Sequence, residues 1–174
     1  MENEWQLGRW WRVPLAMHWT VLLMLPWMFL WYRDVAITVG AFTGYFLVLL
    51  AHEFGHVWMA RRLRIPVEGI LLVGIHGQTS HGYANRADDL KIAWSGVGSQ
   101  LLILLAAWLT TPLVLRLQLP LLDRFVGGLW LGFTDINLFL VVAALLPIGP
   151  FDGHRAWQVI PYWRDRFRRR RRGR

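Results

Sequence analysis

The sequence predicts an all-α multi-pass membrane protein with about four transmembrane helices and a short β-strand or hairpin in the 61–91 loop. Hydrophobic residues make up 55% of the 174 residues, the mean hydropathy is +0.34, and 12 residues are Trp. A soluble chain of this length would need a more polar surface. Several apolar runs also reach the roughly 20 residues that cross a bilayer as a helix.

Four apolar segments are long enough to be spans, at about 14–32, 35–60, 92–115 and 126–150. The first carries only His18 as an ionisable group, the third carries none, and the fourth has Asp135 near its beginning. The first run is too long for the core of a cleavable secretory signal, so we expect it to be retained. The predicted organisation is a membrane-embedded domain over 1–158 and a basic tail over 159–174.

The 61–91 loop is more than a linker. It contains an apolar stretch rich in β-branched and aliphatic residues, followed by the Gly-rich IHGQTSHG at 75–82. This pattern predicts a short strand or hairpin at the membrane surface. We expect the 67–75 stretch to offer an edge strand, which can hold an extended peptide by β-addition.

The basic residues indicate the orientation. In a four-span arrangement, 16 of the 19 Lys and Arg lie on the side shared by the N-terminus, the 61–91 loop and the tail. Because basic residues are retained in the cytoplasm, both termini are predicted to be cytoplasmic. The net charge of +8 comes largely from the arginines between Arg164 and Arg174. A basic tail directly after membrane segments favours contact with the lipid bilayer, and no folded nucleic-acid motif accompanies the charge, so no nucleic-acid partner is expected.

The strongest chemical signal is HEFGH at 52–56, near the end of the second span. Residues four apart lie on one face of a helix, so His52 and His56 can bind one Zn²⁺. Glu53 would act as the catalytic base toward a metal-activated water. Ionisable residues in a span are costly and usually functional, which argues against a merely polar helix end. The chain has no Cys, so any metal must be held by His, Asp or Glu.

A catalytic zinc normally has three protein ligands. Asp152, in LLPIGPFDGHR after the fourth span, is predicted on the same side of the membrane as HEFGH. The alternative is that Asp152 is a turn residue, since Asp-Gly is common in loops. His154 is a rival ligand, or a side chain that contacts a metal ligand without binding the metal itself. We expect His18 to be a buried structural histidine and His76 and His81 to be exposed loop residues.

HEFGH on a membrane helix, followed far downstream by LLPIGPFDG, resembles the site-2 protease family of intramembrane zinc metalloproteases. Pro147, Asp152 and Gly153 match the spacing of that family's second motif, whose Asp is the third zinc ligand. RVPLAMHWTVLL at 12–23 looks like the first span of compact members, and WSGVGSQ at 94–100 resembles the element that opens a later span. The resemblance covers about 8–158.

The sequence departs from the family pattern at two amides, which in the family are thought to hold substrate or stabilise the oxyanion. One falls on Ala144, which has no donor, and the other on Gln100. Gln100 keeps an amide, and Asn137, about two helical turns before Ala144, is a candidate substitute for the lost one. Gln100 and Asn137 are therefore the predicted oxyanion or substrate contacts.

The resemblance implies a zinc-dependent endopeptidase with one Zn²⁺ per chain, in a bacterial or archaeal cell membrane. It implies cleavage of membrane-spanning substrates near the cytoplasmic face, after another protease has shortened them. One alternative is an inactive zinc-binding relative that acts as a membrane interaction protein. Another is a metal transporter, which the nearly apolar third span argues against.

Overall fold

The computed structural model describes residues 4–114, 116 and 123–164. The chain begins with two strands, β1 (Glu4–Trp10) and β2 (Val13–His18), followed by a 3-10 helix (Trp19–Leu23) and α1 (Met24–Tyr32). The long helix α2 (Val35–Arg62) leads to a hairpin of β3 (Val67–Val73) and β4 (His76–His81). The predicted strand or hairpin in the 61–91 loop is thereby confirmed.

The second half of the chain is helical. It consists of α3 (Arg86–Val114), α4 (Asp123–Leu131), a π-helical segment (Gly132–Ile136), α5 (Asn137–Ala144) and the short α6 (Gly153–Ala156). The protein is thus mostly helical with a small sheet. The basic tail predicted at 159–174 is described only as far as 164, so its arginine-rich part lies outside the described residues.

Three helices in the described part of the chain are long and apolar enough to cross a membrane, at Val35–Arg62, Arg86–Val114 and Asp123–Ala144. They correspond to the predicted second, third and fourth spans. The fourth ends earlier than predicted, because the chain leaves the helix after Ala144 to form the loop that carries Asp152. The count is therefore three among these residues and not four.

The predicted first span at 14–32 is wrong as a single helix. Its first part is strand β2, and only the 5-residue 3-10 helix and the 9-residue α1 remain helical. At about 2.0 Å per residue for the 3-10 helix and 1.5 Å for α1, these cover roughly 24 Å, less than the roughly 30 Å of a hydrocarbon core. The physical reason is that β2 is buried through pairing with β3, and a buried strand has the same continuous apolar sequence as a buried helix.

The four strands form one sheet in the order β1-β2-β3-β4. The β1–β2 and β3–β4 pairs are antiparallel, while β2 and β3 are parallel with Leu15 opposite Ile70. Because β3 has a partner on each side, the stretch at 67–75 does not offer the free edge that the sequence suggested. The edge strand at this end of the sheet is β4.

The core lies between α2 and the sheet and includes Tyr45, Val48, Leu15 and Leu72, all less than 2% exposed. The Tyr45 hydroxyl donates a hydrogen bond to the Gly74 carbonyl at the β3–β4 turn. This contact fixes the hairpin against the helix that carries HEFGH.

Close glycine contacts hold α4 and the π-helical segment against α2. A Cβ on Gly132 would lie 2.6 Å from Gly44 Cα, so neither position has room for a side chain. Asp135 in the same segment is exposed and accepts a hydrogen bond from Thr134 Oγ1 at 2.9 Å.

Candidate metal centre

His52 and His56 lie one turn apart on the buried face of α2, at 6% and 4% exposure. Their Nε2 atoms are 3.0 Å apart and their rings are nearly perpendicular, at 84°. The helical spacing therefore brings the two nitrogens together as the sequence predicts.

Asp152 approaches this pair from the loop after α5. Its Oδ2 lies 2.7 Å from His52 Nε2 and 3.1 Å from His56 Nε2. The next residue, Gly153, has no room for a side chain, because a Cβ there would lie 2.3 Å from the Leu146 carbonyl oxygen. The Asp-Gly pair thus lets the loop fold tightly enough to bring the carboxylate to the histidines.

The opposite ring nitrogens show which atoms carry protons. His56 Nδ1 lies 2.7 Å from the Ile92 carbonyl, which can only accept, so this nitrogen is the donor. His52 Nδ1 lies 2.9 Å from Gln100 Oε1 and donates to it in the same way. Such outer hydrogen bonds are the usual means of fixing a metal-binding histidine. In a neutral ring with its proton on Nδ1, Nε2 has a lone pair, and each Nε2 here faces the other and the Asp152 carboxylate.

These three atoms lie 2.7–3.1 Å from one another, close enough to bind one cation together. Burial raises the pKa of Asp152, but the adjacent His52 and His56 rings outweigh it and lower that pKa below its ordinary value. The side chain is therefore a carboxylate, the form that binds metal. Two imidazoles and a carboxylate are a donor set that zinc accepts. The residues fit the metal.

Glu53 lies beside this set and is 1% exposed. Its Oε1 lies 4.0 Å from His52 Nε2 and has no hydrogen-bond partner among the described residues. Its Oε2 accepts a hydrogen bond of 2.6 Å from Thr79 Oγ1 on β4. One carboxylate oxygen is thus held by the sheet while the other is free to take a proton.

Strand β4 is shaped to receive Glu53. A Cβ on Gly77 would lie 2.3 Å from Glu53 Oε1, so the carboxylate occupies the space above this glycine. Thr79, two residues on, shares the same face of the strand. These two positions let the edge strand approach the centre closely.

Two cavities open onto the centre. The larger, about 480 Å³, is mainly polar and reaches Glu53, His56, Asp152 and five consecutive residues of β4, from Gly77 to His81. The smaller, about 20 Å³, touches His52, Gln100, Ala144 and His76. Water can therefore reach the centre along the edge strand.

The cavity walls include residues for which the sequence predicted only structural or exposed roles. His76 lines the smaller cavity and packs its ring on Phe151, with centroids 5.8 Å apart. His81 lines the larger one, and its side chain is 8% exposed, with Nε2 3.9 Å from Asp89. The expectation that these histidines are exposed is wrong. The sequence signal was the β-favouring pattern before them, which predicted a hairpin here and therefore a strand instead of an exposed loop.

The remaining predicted residues occupy different places. Gln100 is 2% exposed and uses its side-chain oxygen to orient His52. Asn137 is fully buried and donates its amide to the carbonyls of Gln100 and Phe133, and it lines neither cavity. His154, on α6, lines the larger cavity. In the part of the chain that the structure describes, it does not contact the Nε2 atoms of His52 and His56 or Oδ2 of Asp152. Their roles in substrate binding or catalysis stay predictions.

His18 has a local structural role. Its Nδ1 lies 2.9 Å from Thr20 Oγ1 and accepts from the Thr20 backbone N–H at 3.4 Å, at the start of the 3-10 helix. In the described part of the chain it makes no contact with His52, His56 or Asp152.

Comparisons with known proteins bear on the fold and the class. No protein-family model matches the chain. The Mycobacterium tuberculosis protein named "Putative zinc metalloprotease Rip3", found in two strains, is 29% identical over 172 residues, covering 89% of this chain and 43% of the relative. The chain thus spans less than half the length of the curated relatives it matches.

A solved structure, the "Site-2 Protease from Methanocaldococcus jannaschii", matches 90% of this chain and 71% of its own, with a TM-score of 0.68 and 21% identity. At that identity the likeness shows the fold. His52, Glu53 and His56 form a group that could hold a metal ion. The solved structure carries the name of the family that the motifs resemble, and the curated relative is named as a zinc metalloprotease.

Proposed function

We propose that the chain is a zinc-dependent intramembrane endopeptidase that holds one Zn²⁺ between His52, His56 and Asp152. The observation that carries the proposal is the convergence of two imidazole nitrogens and one carboxylate oxygen at 2.7–3.1 Å, with both opposite ring nitrogens within hydrogen-bond distance of carbonyl oxygens. Zinc bound there would supply an activated water and polarise the scissile carbonyl.

Glu53 is the proton carrier in this proposal. Its free Oε1 takes a proton from the attacking water and passes it to the leaving amine, so that the peptide bond breaks without releasing an unstable amide anion. Thr79 keeps the carboxylate aimed at the centre through the bond to Oε2. Gln100 and the Ile92 carbonyl keep the two imidazoles in the orientation that presents Nε2.

The substrate is proposed to be a membrane-spanning protein whose helix unwinds locally near the cytoplasmic face. An unwound segment exposes backbone amides, which need partners inside a membrane. The edge strand β4 offers such partners, and the larger cavity runs along it to Glu53. Addition of the substrate to β4 would bring its backbone to the reacting groups.

We also propose that both termini are cytoplasmic, as the distribution of basic residues suggests. The pairing of β2 with β3 supports part of this, because it requires the N-terminal strands and the 61–91 loop to lie on one side of the membrane. The centre lies next to this sheet, so cleavage would occur close to that surface.

The proposal is tested by purifying the protein in detergent, measuring its zinc, and incubating it with a panel of single-span substrates. Glu53→Gln should keep about one zinc per chain and lose cleavage, because the ligands are intact and the proton carrier is not. Glu68→Gln is the matched control, since Glu68 is exposed on β3. Cleavage that persists undiminished in Glu53→Gln would contradict the proposed mechanism.

A non-catalytic zinc-binding relative is the second candidate. The observation that favours it is that Ala144 lines the smaller cavity beside His52 and Asp152, where the family pattern has an amide donor. Such a protein would bind zinc in the same experiment and cleave none of the substrates.

A further inference from the structure

A second concave surface lies on the other side of the α2–α3 contact and shares no residue with the cavities at the metal centre. We call it the tryptophan groove. It has a volume of about 930 Å³ and an almost entirely apolar lining. It is lined by Trp10, Trp11, Ala51, Phe54, Gly55, Trp58, Met59, Ser95, Gly98, Ser99 and Leu102.

The floor of the tryptophan groove is made of small residues where the two helices cross. Gly55 touches the α3 backbone, since a Cβ there would lie 2.5 Å from the Ser95 carbonyl oxygen. Gly98 opens into space, because a Cβ there would meet no atom within 4 Å. The walls are aromatic, with Trp10 and Trp11 held in place by their ring contacts with Phe54 at 5.8 and 5.4 Å. The groove therefore forms where the turn between β1 and β2 packs against α2.

One end of the groove is marked by two arginines. The Arg61 guanidinium donates to the Trp11 carbonyl, and the Arg62 guanidinium lies 5.6 Å from the centre of the Trp58 ring. Both side chains are exposed, and no carboxylate of the described residues forms an ion pair with either. Two positive charges without acidic partners thus stand where the apolar surface ends.

The face of α2 that runs along the groove is about as long as one leaflet of the hydrocarbon core of a bilayer is thick. Ala51, Gly55, Trp58 and Arg62 form a stripe along one face of α2, spaced by four, three and four residues. From Ala51 to Arg62 the helix rises about 16 Å, and half of a hydrocarbon core is about 15 Å. The apolar part therefore reaches from the charged end to about the middle of the membrane.

From this match of charge, polarity and length, we propose that the tryptophan groove binds one anionic glycerophospholipid, with an acyl chain between Trp58 and Leu102 and the phosphate against Arg61 and Arg62. The apolar lining buries the chain, and the guanidinium groups pair with phosphate oxygens. Because the groove is separate from the cavities at the metal centre, this lipid is not the substrate.

The test is native mass spectrometry of the delipidated protein in non-ionic detergent, titrated with phosphatidylglycerol or with phosphatidylcholine of the same acyl chains. We expect one tightly held phosphatidylglycerol per chain. Gly98→Phe fills the groove and should weaken this binding about tenfold or more, equivalent to losing the burial of about two methylene groups. Gly127→Phe is the matched control, because Gly127 is also a helical position where a Cβ would meet no atom within 4 Å, and it lies outside the groove.

The charged end is tested separately by Arg61→Gln combined with Arg62→Gln. This variant should lose about tenfold or more of the preference for phosphatidylglycerol over phosphatidylcholine, at about one kcal/mol for each basic residue near an anionic surface. Arg33→Gln with Arg116→Gln, at the other ends of the helices, should leave the preference unchanged. Trp58→Ala, which removes a wall, provides a second groove variant, and the elution volume in gel filtration checks that each variant is folded.

The proposal is overturned if the unmodified protein binds the two lipids equally, or if Gly98→Phe and Trp58→Ala both bind phosphatidylglycerol as well as Gly127→Phe does. A dimer that dissociates in Gly98→Phe with unchanged lipid binding would assign the groove to a second copy and would equally overturn it. None of these measurements depends on cleavage, so failure here is distinct from failure of the proposed protease activity.

Discussion

Thr79 Oγ1 on the edge strand β4 donates a hydrogen bond of 2.6 Å to Oε2 of Glu53 on helix α2. The bond joins the proposed substrate-binding strand to the proposed proton carrier. Gly77 on the same strand face leaves the space that the Glu53 carboxylate occupies. The position of β4 therefore fixes the orientation of the Glu53 carboxylate. A substrate that pairs with β4 would find this proposed base already oriented toward the metal centre.

Replacing Thr79 by Val removes the donor and keeps the shape of the side chain. We expect kcat to fall about 10- to 100-fold with little change in KM, since a hydrogen bond to a charged group contributes about 1.5–3 kcal/mol. Thr79→Ser keeps the hydroxyl and should retain most of the activity. The measurement is cleavage kinetics with zinc content determined in parallel; a Val variant as active as the unmodified protein would show that the bond has no such role.

Gly96 on α3 lies directly against the imidazoles. A Cβ at this position would lie 2.5 Å from His56 Nε2 and 2.8 Å from His52 Cε1, so Gly96→Ala must displace the rings. We expect zinc affinity to fall about tenfold or more, comparable to the loss of an outer hydrogen-bond partner. Competition with a chelator measures this.

The matched control for that substitution is Gly98→Ala, on the same helix with open space around it. It should bind zinc as the unmodified protein does. Equal zinc affinity of the Gly96 and Gly98 variants would mean that the rings are not held where we describe them.

Ala144 faces the smaller cavity beside His52. Ala144→Asn places an amide donor there, and we expect kcat to rise, by up to about 100-fold if the donor reaches the developing oxyanion. Val142→Asn, at a position that is 57% exposed on the same helix, should give no increase. Measured kcat that stays level or falls in Ala144→Asn, with zinc content intact, would show that this position does not contact the oxyanion.

More of the candidate metal centre than of the surrounding fold could be predicted from the sequence. His52, Glu53 and His56 are set by helical spacing alone, which is local information. Asp152 is distant in the chain, but the alternation of spans and the arginine distribution placed it on the same membrane side. Both kinds of reasoning depend on features that short segments display by themselves.

The positions of the residues around the centre are determined by long-range strand pairing, which no local sequence pattern reveals. Thr79 and His81 reach the cavity only because β4 pairs with β3 and packs against α2. The predicted first span failed for a similar reason. Val13–His18 reads as the beginning of an apolar helix, and only its pairing with β1 and β3 makes it a buried strand.

The most direct measurement is the zinc content of the purified protein beside His52→Ala combined with His56→Ala. Because His52, His56 and Asp152 are the proposed ligands, we expect about one zinc per chain in the unmodified protein. The double variant keeps only the Asp152 carboxylate of these ligands and should bind essentially none. Glu53→Gln should retain the metal. Zinc bound equally by the double variant would contradict the assignment of this centre.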